Sequence, residues 1–300
     1  MNSNGKLEDK VKEVEQIIGK YLPEEKGYQK TVIQAMNYSI LAGGKRLRPM
    51  LLQETYRMFQ GTGEVAEPFM AAIEMVHTYS LVHDDLPCMD NDEYRRGKKT
   101  THVVYGEGMA VLAGDGLLNF AFETAVKAFS FAEEKEEFDR IAKALSVFGQ
   151  KAGIYGMIGG QTADIEAEDM GDGVTEEQLL FIHEHKTAAL IQSAMMIGAI
   201  LAGASKEEVG RIEKCAYNIG IAFQIQDDIL DVTGSLTTLG KQTGSDEKNK
   251  KTTYVTLKGM EQAVEDVRAL SAEAIEILSS FKERNEFLEG LVKRLITREK

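Results

Sequence analysis

Apolar residues return along this chain at helical spacing almost everywhere. In the first segment Val11, Val14, Ile17, Ile18 and Tyr21 mark one helix face, and Pro23 stops it. Thr175-Glu-Glu-Gln178 reads as a capping box opening a long apolar stripe through Leu190, Ile191, Ala194, Ile197 and Leu201. Ser205-Lys-Glu-Glu208 opens a second such helix, expected to run to about Asp231. Alternating Val, Ile, Thr and aromatic runs, the strand signal, are nearly absent. The period predicts helices near 5–21, 27–42, 49–60, 65–85, 109–130, 135–168, 176–203, 206–232, 259–280 and 283–297. With short polar joints, no linker and no internal repeat, this predicts one all-α domain over residues 1–300.

At 300 residues and 43% hydrophobic content the chain can bury a large core. Its net charge of −13 argues against a nucleic-acid partner unless a local basic patch overrides it. The N-terminus lacks the apolar region of a signal peptide. The longest near-apolar run, Ala194 to Ala204, is too short to span a bilayer, so no stable membrane insertion is expected. Cys88 and Cys215 form no CxxC pair or disulfide framework. These features predict a cytoplasmic protein.

The least regular stretches, 86–108 and 233–256, each follow a helix that ends in aspartates. The first cluster holds Asp84, Asp85, Asp90 and Asp92. Pro87 should end its helix and let the chain fold back, so that Asp90 rejoins Asp84. His77 lies two turns before Asp84 on the same face. The second cluster is Gln224-Ile-Gln-Asp227-Asp228-Ile-Leu-Asp231, where Asp227 and Asp231 share one face with Gln224 a turn below. Grouped carboxylates repel and need a cation when desolvated. Their open arrangement suits Mg²⁺ held jointly with a phosphate-bearing substrate. Neither run has the twelve-residue EF-hand pattern.

Anionic substrates would need local positive charge. Gly43-Gly44-Lys45-Arg46-Leu-Arg48-Pro49 joins two helices and offers backbone N–H groups beside three cations. Arg95-Arg96-Gly97-Lys98-Lys99 follows the first acidic cluster; Gly240-Lys241 and Lys248 to Lys251 follow the second. Lys186-Thr187 sits inside an apolar helix, where the lysine either snorkels to solvent or faces the site.

Together GGKRLRP, DDLPCMD with its trailing RRG, GDGLL (Gly114 to Leu118), GGQTADI (Gly159 to Ile165), HKTAAL (His185 to Leu190), FQIQDDILD and GKQTGSD (Gly240 to Asp246) resemble the trans-isoprenyl diphosphate synthases, most closely the bacterial-type farnesyl diphosphate synthases. The resemblance runs from about Ala42 to Tyr254. It implies an all-α helical bundle around a deep central cavity (the isoprenoid synthase fold), usually homodimeric. It also implies Mg²⁺, several ions shared with the allylic diphosphate, carried by Asp84, Asp90 and Asp227, with Asp85, Asp228 and Asp231 in the same electrostatic network. By the same resemblance Arg95, Lys186, Lys241 and Lys251 would meet the allylic diphosphate. Isopentenyl diphosphate would meet Lys45, Arg48, His77 and Arg96, with Gly44 shaping the loop. Thr187 and Gln224 would lie beside the reacting carbons.

The implied reaction ionises an allylic C–O bond, and an isopentenyl double bond then attacks the cation. Each added isoprene unit buries more hydrocarbon, at about 0.8 kcal/mol per CH₂, so a floor must stop growth. Tyr79 and Ser80 lie about one turn below Asp84; helical angle favours Ser80, and geometry alone would not choose Tyr79. In farnesyl-type enzymes an aromatic at the Tyr79 position is the floor, which implies a C15 product. A geranylgeranyl (C20) synthase shares most of these motifs, and only the floor residues separate the two. A class I cyclase normally mixes Asn, Ser and Glu in its second metal motif. A non-catalytic subunit of a heteromeric synthase typically loses an aspartate motif, and both are intact in this sequence.

Overall fold

The computed structural model describes residues 3–233 and 252–296. Packing divides the chain into two compact units, Met1–Gln53 with Thr62–Leu145, and Glu54–Gly61 with Ser146–Lys300. The described residues are overwhelmingly helical, as the apolar period predicts.

The first unit contains α1 (Ser3–Lys20), α2 (Lys30–Ile40), the start of α3 (Leu47–Met58), α4 (Glu67–Asp84), α5 (Thr101–Tyr105), α6 (Glu107–Val126) and the start of α7 (Lys135–Ala152). Pro68 sits in the first turn of α4, where its missing N–H has no intrahelical role. α4 is apolar almost all round, which fits a helix buried on every side. Its main cover is α6, whose buried stripe of Ala110, Ala113, Gly114, Leu117, Ala121 and Ala125 is mostly small and lets the two helices approach closely. The opposite side of α6 exposes Val111, Leu112 and Val126, and α5 exposes Val103 and Val104. By length and composition alone Glu107–Phe131 could cross a membrane. Asp115, Asn119 and Glu123 break its run of apolar letters, so Ala194–Ala204 looked longer in the sequence.

The second unit contains α8 (Met157–Met170), α9 (Glu176–Ile182), α10 (Ala189–Leu201), α11 (Lys206–Thr233), α12 (Tyr254–Lys258), α13 (Met260–Ser279) and α14 (Glu286–Ile296). Both predicted capping boxes form: Thr175 with Gln178, and Ser205 with Glu208. α10 is buried along its whole length and packs on α11, which in turn packs on α13. The Asn285 side chain caps α14 at Leu288 N and donates to Glu54, tying this helix to the end of α3.

Three expectations change. The single helix read over 135–168 breaks between α7 and α8, because the chain turns through Gly153 and Gly156; a Cβ on Gly156 would overlap the Lys151 carbonyl. The helix read over 176–203 contains a six-residue π turn, His183–Ala188, between α9 and α10. Within 86–108 the chain forms a two-stranded hairpin, β1 (Tyr94–Arg95) against β2 (Lys98–Lys99), followed by α5. Its turn residues Arg96 and Gly97 have φ of 55° and 74°, the signature of a type I′ turn. Strands of two mostly exposed residues carry no alternation to read.

Candidate active site

α4 ends at Asp84, ahead of Pro87, and the chain doubles back so that the Asp90 N–H donates to the Asp84 carbonyl at 2.8 Å. The predicted return of Asp90 to Asp84 is therefore present in the backbone. Asp84 is half-buried and Asp90 exposed. Asp85 differs: it is 4% exposed, and Arg95 places Nε and Nη2 each 2.6 Å from its Oδ1. Burial pushes the Asp85 carboxyl up, and Arg95 opposes that shift. The hairpin supplies this contact by swinging Arg95 back under the helix end.

The glycine-rich loop separates its three cations. Arg46 is buried, donating to Glu74 at 2.8 Å and to the Ile40 carbonyl at 2.7 Å, while Lys45 is exposed. Desolvation pulls the Arg48 guanidinium down to about 10, against the attraction of Glu74. His77 is held well below its ordinary value by burial, and then by Arg48, Arg96, Arg95 and Arg46. The Arg96 guanidinium donates to the Gly43 carbonyl. Gly44 has φ of 135°, and a Cβ there would stand 2.6 Å from Arg96 Nη1, so both conformation and space demand glycine. Gly44, Arg48, His77 and Arg96 thus come together. A pocket beneath the hairpin is lined by Tyr38, Thr78, Val82, Asp85, Arg95 and Arg96.

In the second unit α11 carries Gln224, Asp227, Asp228 and Asp231. Asp227 and Asp231 are half-buried. Asp228 is 6% exposed; its Oδ2 accepts the Tyr254 N–H at 2.8 Å, with His183 Nε2 3.8 Å away. Burial and the Asp266 carboxylate, which accepts its hydroxyl at 2.8 Å, push the Tyr254 phenol far up.

The π turn aims the Lys-Thr pair. Lys186 Nζ lies 2.5 Å from Oδ2 of buried Asp164, and the Thr187 hydroxyl donates to Gln224 Oε1 at 2.8 Å. Two glycines make room for its wider backbone. A Cβ on Gly160 would overlap the Lys186 amide, and one on Gly220 would overlap Ala188. Each glycine lies four residues before the polar partner on its own helix, Gly160 before Asp164 and Gly220 before Gln224. One face of α8 and one of α11 therefore each combine a notch with a polar anchor.

Tyr79 is 6% exposed, and Ser80 is half-buried with its hydroxyl donating to the His77 carbonyl at 3.0 Å. Lys241 and Lys251 lie outside the described residues, as do Gly240 and Lys248. Sequence reasoning missed Asp164, His183 and Tyr254. For Asp164 the signal was present, since it lies inside the quoted GGQTADI motif a helical turn after Gly160.

The family model for polyprenyl synthetases matches residues 29–292. The chain is 42% identical over 259 residues to a farnesyl diphosphate synthase of Geobacillus stearothermophilus, covering 86% of this chain and 85% of that protein. It is 47% identical over 251 residues to a chloroplastic geranylgeranyl pyrophosphate synthase of Catharanthus roseus, covering 83% and 68%. A solved FPP/GFPP synthase from Zymomonas mobilis superposes with a TM-score of 0.86 at 31% identity, covering 98% of this chain and 99% of that one. With its all-helical isoprenoid synthase fold and its ordered motifs, this chain belongs to the polyprenyl synthetase family as a trans-prenyl diphosphate synthase.

Proposed function

We propose that the chain is a farnesyl diphosphate synthase, condensing isopentenyl diphosphate head to tail (1'-4) with dimethylallyl and then geranyl diphosphate, releasing diphosphate at each step. The observation that carries the C15 reading is Tyr79, a buried aromatic five residues before Asp84. Asp84, Asp90 and Asp227 would hold Mg²⁺, with Asp231 beside them. Hard oxygen donors suit that ion, and none of the four is sealed in the core: Asp84, Asp227 and Asp231 are half-buried and Asp90 is exposed. When bound, Mg²⁺ supplies positive charge to the departing diphosphate. Asp85 and Asp228 support the site from behind, holding Arg95 and the Tyr254 amide.

Arg95, Lys186, Lys241 and Lys251 would bind the allylic diphosphate and stabilise charge growing on the leaving oxygen, the term usually largest in catalysis. Lys45, Arg48, His77 and Arg96 would orient isopentenyl diphosphate, on a loop whose close approach Gly44 permits. A neutral His77, favoured by its cationic surroundings, would contribute a hydrogen bond without adding charge. Oxygen dipoles of Thr187, Gln224 and the Lys186 carbonyl would face the allylic cation, and apolar walls would keep water from capturing it.

Both units are proposed to act as one catalytic domain over residues 1–300, supported by a single family match across 29–292. The exposed valines and leucine of α5 and α6 suit a homodimer interface better than a solvated face. The cytoplasm is the proposed location, supported by two free cysteines, exposed Cys88 and buried Cys215.

A C20 synthase is the second reading, favoured by relatives named geranylgeranyl synthases at 43% and 47% identity. The deciding experiment incubates the protein with isopentenyl and dimethylallyl diphosphates, with and without Mg²⁺, and measures product length. A C15 product formed only with Mg²⁺ is expected; a dominant C20 product would overturn the assignment.

A further inference from the structure

The Tyr79 hydroxyl is buried and has no hydrogen-bond partner. Burial and nearby Asp84 push its phenol up to about 12, so the ring carries no charge to anchor it. No polar tether therefore fixes this side chain, and its position rests on packing. Its ring packs edge-to-face against His83, with centroids 5.9 Å apart and planes at 79°. The two residues are four apart, on one face of α4.

His83, by contrast, is held. Its Nε2 is 3.1 Å from the Val111 carbonyl on α6, which can only accept, so the ring donates there. Its ring end fills the space above Gly114, where a Cβ would overlap Nε2. Gly114 is an ordinary buried helical position without positive φ, so space rather than conformation is what glycine supplies. The overlapping atom is the far end of a side chain, held by one hydrogen bond, so an added methyl would displace the imidazole before it displaced the helix.

We propose that His83 is a specificity-determining brace. Seated on α6 by Gly114 and the Val111 carbonyl, it holds Tyr79 in place as the floor and so limits product length. This rests on Tyr79 being the floor. His83 acts through Tyr79 and is a positioning residue, not one that meets the growing chain. Removing the ring, or evicting it from its seat, gives Tyr79 somewhere to go and lets the floor open.

The test measures product length from isopentenyl and dimethylallyl diphosphates at matched turnover for Tyr79→Ala, His83→Ala, Gly114→Ala and His83→Phe. Tyr79→Ala, His83→Ala and Gly114→Ala are expected to raise the share of products longer than the wild type's by several-fold. His83→Phe retains a ring edge against Tyr79 but loses the donor to the Val111 carbonyl, and is expected to fall between the wild type and Tyr79→Ala in product length. If Tyr79→Ala lengthens products while active His83→Ala and Gly114→Ala do not, the brace is wrong and the floor stands. If active Tyr79→Ala leaves product length unchanged, the floor reading falls and takes the brace with it. Should His83→Ala fail to fold, Gly114→Ala and His83→Phe decide the matter: wild-type products from Gly114→Ala, or products from His83→Phe as long as those of Tyr79→Ala, overturn the proposal.

Discussion

The two aspartate-bearing helix ends share a division of labour but achieve it by different means. At the end of α4, Asp84 stays half-buried while Asp85 turns inward to Arg95 on the hairpin. On α11, Asp227 stays half-buried while Asp228 turns inward to a backbone amide, that of Tyr254. In each pair the second carboxylate fastens the chain that follows. The first unit uses a side-chain ion pair to Arg95, which lies on the first strand of the hairpin. The second unit uses a main-chain contact that fixes the start of α12. A doubled aspartate thus combines a residue placed for chemistry with one placed for architecture, a reason for adjacency that like-charge repulsion alone would oppose.

The division is broken most directly by charge removal at the first aspartates. Asp84→Ala and Asp227→Ala are each expected to lower kcat by about 10³-fold or more, the scale of losing charge stabilisation at a leaving group. Steady-state kinetics at saturating Mg²⁺ checks this. Equal losses from Asp85→Asn and Asp228→Asn would show that no such division exists.

The next effect tests the second unit's reliance on backbone fit. Gly160→Ala forces a methyl into the Lys186 amide and should displace the π turn. Misplacement of about 1 Å costs on the order of 10²-fold in rate, so kcat is expected to fall by about that factor. The accompanying overpacking should cost roughly 1–3 kcal/mol of stability, read from denaturant titration. An unchanged kcat would mean that the glycine notch does not position Lys186 and Thr187.

A smaller pair of effects sharpens the contrast between the anchors themselves. Asp228→Ala strands the buried Tyr254 N–H and should cost about 1–3 kcal/mol, whereas Asp228→Asn keeps an acceptor and should cost less. Asp85→Ala should cost only about 1 kcal/mol, because Arg95 keeps solvent access and has Asp92 at 3.6 Å. Urea midpoints of the three variants rank these anchors.

The helices were legible because burial imposes a period on the letters. α11 and both capping boxes follow from spacing alone. The fold-back of Asp90 followed from Pro87, whose effect is local and steric. Less was legible where structure depends on what lies across the fold. The π turn leaves no mark on apolar period; only Gly160 and Gly220, each four residues before its polar partner, hint at it. The hairpin hid because Arg96 takes a conformation usually given to Asn or Gly. Among the candidate residues, motif matching named Asp85 and Asp228 with their neighbours, but only coordinates show that they face inward. That Arg46 pairs with Glu74 while Arg48 does not could not be read from three cations in a row.

The smallest expected effect concerns the pH dependence that buried cations give the first unit. His77 is kept neutral by burial and by four arginines, so its folded value lies below the ordinary 6.5. As pH falls through 6.5 the unfolded chain takes up a proton at this position before the folded protein does. Stability from this group is therefore fully present above pH 6.5 and is lost as pH drops toward the folded value. Replacing it by His77→Gln removes the proton difference and should flatten the stability profile between about pH 5 and 6.5, above the range where carboxylates dominate. The second unit lacks such a cluster of cations among its described residues, so its variants, such as Gly160→Ala, should shift the profile without changing its slope. Urea midpoints across that pH range separate the two cases, and an unchanged slope in His77→Gln would mean that the imidazole titrates alike in both states.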